Sequence, residues 1–350
     1  MPIDPGVDLS GIEYNPVPYE IIAPENPFIP ALSFPQMEIP ADNPMTVDGF
    51  ELGRRLFYDP ILSADSTMSC FSCHNQSLAF TDGKATSAGI DGINGNRSSM
   101  SLVNIGYNYN GLFWDGRSPT LEEQALLPIE DPIELHAMWP EVILKMQKSE
   151  FYQMWFRKAF GISNSNEITK ELAAKALAQF QRAMVSSSES KYDRVKRNEI
   201  GFSDLELLGE SLFFDDDPSV PDAECNHCHQ PPLFTTNLYV NNGLQNVDFL
   251  SQFPDKGLGG FTGDSLDNGK FRIPTLRNIE FTAPYMHDGR FETLEEVIEH
   301  YNSGGHFISN IDPLMRPLEL DQEQKDALVA FMKTLSDRNF FENEAFSNPF

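Results

Sequence analysis

Cys70-Phe-Ser-Cys73-His74 and Cys225-Asn-His-Cys228-His229 decide the reading of this chain. Each is a C-x-x-C-H stretch, and together they hold all 4 cysteines of its 350 residues. The spacing has a mechanical meaning: two thioethers anchor the vinyl groups of one porphyrin, and the next imidazole reaches its iron. A structural zinc knuckle would draw both pairs into one site. Yet Cys73 and Cys225 are 152 positions apart (225 − 73), and zinc has no need of the histidines. A thioredoxin-like pair would need a βαβ setting, and none is evident. The sequence therefore predicts two covalently bound haem c groups, attached through Cys70, Cys73, Cys225 and Cys228, with His74 and His229 as proximal iron ligands.

Working outward, the two motifs sit in an internal repeat. The first half runs Gly53-x-x-Leu56-Phe57-x-Asp59, the haem motif, Phe80-Thr81, Leu102-x-Asn104-Ile105, then Trp114-Asp115-Gly116-Arg117-x-x-Thr120-Leu-Glu-Glu123. The second runs Gly209-x-x-Leu212-Phe213-x-Asp215, the haem motif, Phe234-Thr235, Leu276-x-Asn278-Ile279, then His287-Asp288-Gly289-Arg290-x-x-Thr293-Leu-Glu-Glu296. Both T-L-E-E stretches read as capping boxes that start a helix. Residues 169–185 and 321–335 carry apolar side chains at helical spacing, alternating β-branched runs are scarce, and 241–270 reads as loop. The expected fold is mainly α: two cytochrome c-like haem domains related by internal duplication. The expected boundaries are an extended proline-rich arm at 1–45 with 10 of the 25 prolines, a first haem domain at 46–190, a second at 191–340 and a tail at 341–350.

Charge narrows the partners. With 52 acidic and 25 basic side chains the chain carries −27, which argues against a nucleic-acid surface and against docking on anionic lipid. No run of 18 apolar residues predicts a membrane helix. Haem c is attached outside the cytoplasm, so the expected compartment is the periplasm. Residues 1–20 lack the features of a signal peptide, so a leader is expected to have been removed ahead of Met1, and anchoring through the arm stays open.

The distal side of each iron sets the chemistry, since a vacant position can bind peroxide. Eight residues past Thr293 stands Tyr301, whereas eight past Thr120 stands Pro128, which has no side-chain donor. If the repeat holds through that helix, haem 1 is open and haem 2 is a candidate for closure by Tyr301. Met286 competes for haem 2, and Met100 is a remoter candidate at haem 1. His227 is expected to face away, and His136, His300 and His306 to be polar or supporting groups. Chemistry at an open haem needs a proton shuttle, and Gln124, Glu130, Asp131 and Glu134 are the candidates nearby, among which composition does not choose.

Over roughly residues 46–340 the chain resembles the bacterial di-haem cytochrome c peroxidases, the family that includes MauG. The resemblance rests on both C-x-x-C-H motifs, on Phe113-Trp-Asp-Gly-Arg117 with Leu121-Glu-Glu-Gln124, and on Pro274-Thr-Leu-Arg-Asn-Ile279 with Ala283-Pro-Tyr-Met-His-Asp-Gly289. It implies that Trp114 relays electrons between the haems, that Gln124 and Glu134 serve the peroxidatic haem, and that Pro128 marks that haem as open. It also implies that Tyr301 ligates haem 2, where ordinary members carry methionine, and it demotes Met286. The distal histidine that ordinary members carry after the first motif is lacking here, so reductive activation is not expected. Two departures stand out. The MauG tryptophan through which a protein substrate is oxidised is Ala223 here. A calcium ion between the haems would find Thr282 and Pro284 at its carbonyl positions, but Ser98 where the family has asparagine.

These expectations converge on a periplasmic peroxidase that reduces hydrogen peroxide with electrons from a small cytochrome c or cupredoxin. A homodimer is compatible with them. The alternatives are MauG-like oxidation of side chains in a partner protein and a plain di-haem electron carrier.

Overall fold

The computed structural model describes residues 5–26, 29, 32–215 and 217–350. Residues 1–4, 27–28 and 30–31 of the expected arm lie outside them. The fold is mostly helical, with one two-stranded sheet, β1 (Tyr239–Val240) against β2 (Phe271–Arg272), antiparallel with Tyr239 opposite Arg272.

The first module comprises α1 (Val47–Tyr58), α2 (Leu121–Glu130), α3 (Trp139–Lys148), α4 (Glu150–Phe160) and α5 (Lys170–Arg182). The second comprises α6 (Lys191–Lys196), α7 (Asp204–Phe214), α8 (Cys225–Cys228), α9 (Leu258–Thr262), α10 (Leu294–Ser303) and α11 (Gln322–Lys333), and α12 (Asn339–Glu342) follows. Each module has its own apolar core. Thr46, Ser203 and Asp321 cap α1, α7 and α11 through side-chain oxygens that accept N3 or first-turn N–H groups.

The repeat is carried into three dimensions by its glycines. A Cβ on Gly53 would lie 1.9 Å from the Ala176 carbonyl oxygen, and one on Gly209 would lie 2.0 Å from that of Ala327. Only glycine lets α1 cross α5, and α7 cross α11, at this separation. The aromatic contacts repeat as well: Phe57 meets Phe180 at 5.2 Å and Phe213 meets Phe331 at 5.1 Å between ring centroids. Thr293 and Glu296 form the full capping box on α10. At α2 only half of it forms: Thr120 accepts from Glu123 N–H, with no return bond from the glutamate. The 241–270 stretch is mostly loop, as expected, but holds the short helix α9.

The L-x-N-I motifs explain how the modules interlock. Asn104 and Asn278 both adopt left-handed backbone (φ 59° and 62°). Asn104 Oδ1 accepts from Ser186 N–H at 2.9 Å, and Asn278 Oδ1 accepts from Asp337 N–H at 2.6 Å. The segments that leave α5 and α11 are thus pinned at matching points. They also bind each other, because Ser187 donates through N–H and Oγ to Asp337 Oδ2 at 2.7 and 2.6 Å. The first segment leads into the second module. The second returns to the first module, where Phe340 and Phe346 enter the core and Tyr58 OH donates to the Phe346 carbonyl at 2.6 Å. The described part of the arm also runs along the body: Leu9 N–H donates to Ser163 O at 2.9 Å, and the Phe34 ring lies 4.6 Å from the Arg277 guanidinium.

Candidate functional site: two haem cavities and the wall between them

Cys70, Cys73 and His74 open onto a cavity of about 870 Å³ in the first module. Cys225, Cys228 and His229 open onto one of about 220 Å³ in the second. No disulfide joins any of the four cysteines. His74 Nδ1 lies 2.8 Å from the Phe80 carbonyl and His229 Nδ1 lies 3.1 Å from the Phe234 carbonyl. Each Nδ1–H is thereby engaged as a donor, leaving Nε2 as the free ligand atom. Burial holds both imidazoles below their ordinary pKa against the opposing carbonyl bonds, His229 at about 4. Two thiols and a neutral imidazole on the wall of one cavity are the donor set a covalent porphyrin needs, so the residues fit haem c at both places. One asymmetry had no marker in the repeat. Ser99 Oγ donates to Cys73 O at 2.6 Å and stands 3.2 Å from His74 Nδ1, whereas its repeat position holds Ile273.

The first cavity is also lined by Gln124, Pro128 and Glu134. Pro128 sits inside α2 and cannot donate to the Gln124 carbonyl. Among the four polar candidates, Glu130 is exposed. Asp131 caps a turn by accepting from Ile133 N–H at 3.0 Å. Glu134 is the one whose carboxyl is displaced: burial first, and then repulsion from Asp131, pushes it up to about 7 against the pull of Arg117. Its placement depends on Gly89, where a Cβ would lie 2.2 Å from Ile133 O and 2.8 Å from Glu134 O.

The second cavity is lined by both Tyr301 and Met286. Asn242 Nδ2 donates to Tyr301 OH at 3.3 Å and to Met286 Sδ at 3.5 Å, so the two candidate ligands meet at one amide. Burial pushes the Tyr301 phenol up to about 12, opposed by Asn242. It is neutral at ordinary pH unless a cation such as ferric iron displaces its proton. The Met100 sulfur is engaged elsewhere, accepting from Arg272 Nη2 at 3.4 Å, and the Met100 backbone faces His74. The remaining histidines are placed as supporting groups. His136 pairs with Asp91, His227 is half exposed beside Glu224, His300 Nε2 lies 2.9 Å from Asn242 O, and His306 is exposed.

Trp114 lines both cavities. Its Nε1–H donates to Ser98 O at 3.0 Å, while Ser98 N–H donates to His287 O at 2.8 Å. His287 occupies the repeat position of Trp114 and lies flat on Phe271, 3.5 Å between centroids. Arg97 ties the modules together by donating to Asp115 at 2.7 Å and to Asp255 at 2.7 and 2.8 Å. Asp255 belongs to a stretch absent from the first half of the repeat, and its neighbours Pro254 and Lys256 also line the first cavity. Ala223, where MauG has its tryptophan, is buried in the second core at 4% exposure. The calcium donors fit poorly. Ser98 Oγ is occupied in donating to Met286 O at 3.0 Å, and Ser98, Thr282 and Pro284 bring no negative charge to a divalent ion. No step below involves calcium.

Two C-x-x-C-H cavities separated by a tryptophan define a di-haem c-type oxidoreductase. A family model described as di-haem cytochrome c peroxidase matches residues 47–200 and 203–347, and the chain belongs to that family. Its members include relatives of similar length. Cytochrome-c peroxidase IdrP1 of Denitromonas iodatirespirans is 33% identical over 88% of this chain and 87% of its own. Methylamine utilization protein MauG of Methylorubrum extorquens is 33% identical over 85% and 80%. A solved MauG-like protein associated with microbial copper homeostasis superposes with a TM-score of 0.83 at 36% identity, covering 93% of this chain and 99% of that one. The protein is accordingly a peroxidase-type oxidoreductase with two covalently bound haem c groups. No helix among the described residues is long and apolar enough to cross a membrane.

Proposed function

We propose that the chain is a periplasmic peroxidase that reduces hydrogen peroxide to water at the first cavity (H₂O₂ + 2H⁺ + 2e⁻ → 2H₂O). The observation that carries this reading is Glu134, a buried carboxyl held near pKa 7 in the same cavity as His74, Gln124 and Pro128. Haem c, held by Cys70, Cys73 and His74, would supply peroxide binding and the electrons that break the O–O bond. The chain's own residues do the rest. Glu134, as carboxylate, accepts the proton from the near oxygen and returns it to the far one, which then leaves as water. The Gln124 amide orients the peroxide by hydrogen bonding. Trp114 passes electrons between the cavities, its N–H kept in place by Ser98 O. Tyr301 and His229 would ligate the second haem, which would then serve electron transfer. Electrons come from a small basic redox protein drawn to the acidic surface. Within this reading, the expected domain boundaries at residues 46, 191 and 341 divide the chain by haem.

Oxidation of a partner's side chains is less favoured, because Ala223 is a buried alanine rather than an aromatic exit. The test is electron paramagnetic resonance of the fully ferric protein. One high-spin and one low-spin haem are expected; two low-spin haems would overturn the open first site.

A further inference from the structure

The two proximal histidines share an arrangement whose supporting parts come from the two segments that cross between the modules. His74 and His229 each donate to the carbonyl of a phenylalanine, Phe80 or Phe234, at 2.8 and 3.1 Å. Both phenylalanines hold left-handed backbone, at φ 57° and 54°. A bulky aromatic residue there is strained, and persists only where its surroundings fix it. One wall is common to the repeat: Phe57 meets Phe80 and Phe213 meets Phe234, each at 5.9 Å. The opposing wall is not. In the first module it is Phe340, edge-on to Phe80 at 5.8 Å and 72°. In the second it is Tyr192, edge-on to Phe234 at 5.0 Å and 85°. Tyr192 lies ten residues past the end of α5 and Phe340 seven past the end of α11 (192 − 182 and 340 − 333), so the coincidence is not a matter of repeat register. Each ring is delivered by the segment that leaves the last helix of the other module. Each is also tied down locally: Gln76 Nε2 donates to Asn343 O at 2.9 Å near Phe340, and Tyr192 N–H donates to Thr334 O at 2.9 Å.

We propose that Phe340 and Tyr192 are positioning residues for haem 1 and haem 2 respectively. Each clamps the strained phenylalanine whose carbonyl orients the proximal histidine and sets how strongly its Nδ1–H is held. A firm carbonyl bond makes the imidazole a stronger donor to iron, and a loosened one weakens it. The inference rests on His74 and His229 being the axial ligands.

The experiment uses the holoprotein with Phe340→Ala and Tyr192→Ala, each beside a milder variant, Phe340→Leu and Tyr192→Phe. It reads the iron–histidine stretching band of ferrous haem 1 and the low-spin resonance positions of ferric haem 2. Phe340→Ala should lower the haem 1 band and leave haem 2 unmoved, and Phe340→Leu should shift it less in the same direction. Tyr192→Ala should move the haem 2 resonances alone, and Tyr192→Phe, which keeps the ring, should leave them in place. If an alanine variant does not load both haems, the Phe340→Leu shift decides for haem 1. A band that is present but unmoved by Phe340 substitution, or both haems shifting together, overturns the inference. Absence of an iron–histidine band in the unsubstituted protein would instead overturn the ligand assignment.

Discussion

Replacing Glu134 by Gln removes the titrating group from the first cavity while keeping its size and most of its hydrogen-bonding capacity. Burial raises this carboxyl to about 7 from an ordinary 4.5, with Asp131 adding to the shift. The carboxylate is the active form in the proposed step. The rate constant for peroxide reacting with the ferric enzyme should therefore rise with pH through that value. From one unit below to one unit above, the ionised fraction climbs from about 9% to about 91%, roughly a tenfold gain in rate. Glu134→Gln should lower the rate constant about 10²–10⁴-fold and flatten the profile. Stopped-flow spectroscopy at the Soret band, with pH jumped at the moment of mixing, measures both. The linkage to stability has the opposite sign. A carboxyl whose pKa is raised by folding stabilises the fold below the unfolded value, and that contribution is lost as pH rises toward 7. Activity should thus increase across a window in which the thermal midpoint declines. A variant that keeps the pH dependence of the native enzyme would show that another group carries the proton.

Other changes have equally definite outcomes. Tyr301→Phe should convert the low-spin haem 2 signal to high spin and raise its reduction potential, because an anionic ligand is lost; an unchanged spectrum would pass the ligand role to Met286. Turnover with a basic donor should fall as ionic strength rises from 10 to 200 mM, a steady-state measurement that follows from the charge of −27. Gly53→Ala gains about 1 kcal/mol of helix propensity, but its Cβ meets the Ala176 carbonyl at 1.9 Å. The forced separation of α1 and α5 should leave a net loss of about 1–2 kcal/mol in calorimetric unfolding.

The parts of the molecule legible in sequence are those carried by local pattern. The C-x-x-C-H motifs, the helices at 170–182 and 322–333 and the caps at Thr120 and Thr293 all follow from spacing over a few residues. What sequence left open depended on burial or on contacts between distant segments. Glu130, Asp131 and Glu134 look alike as letters; they are told apart by exposure at Glu130, by the turn that Asp131 caps and by the displaced carboxyl of Glu134. Asn242 and Ser99 are single polar residues in irregular backbone, with no period to mark them. The reach of Asp255 over the first cavity had one available signal. Thr235 to Leu276 spans 41 positions against 21 from Thr81 to Leu102 (276 − 235 and 102 − 81), so the second half carries an insertion that had to lie somewhere. The L-x-N-I repeats were visible, but their use in pinning the crossing segments required the partner strands to be seen.

The interlock also imposes an order on how the molecule can be completed. Ribosomes and export machinery deliver a chain from its N-terminus. Tyr192 precedes Cys225, so the support for the second haem is already in hand when its cysteines emerge. The first haem motif, at 70–74, emerges early but must wait for Phe340, 266 positions after His74 (340 − 74), and for Phe346 before its surroundings close. Closure of the first haem site is thereby deferred until the second module exists, and a chain cut short before Phe340 leaves Phe80 without one of its two aromatic supports.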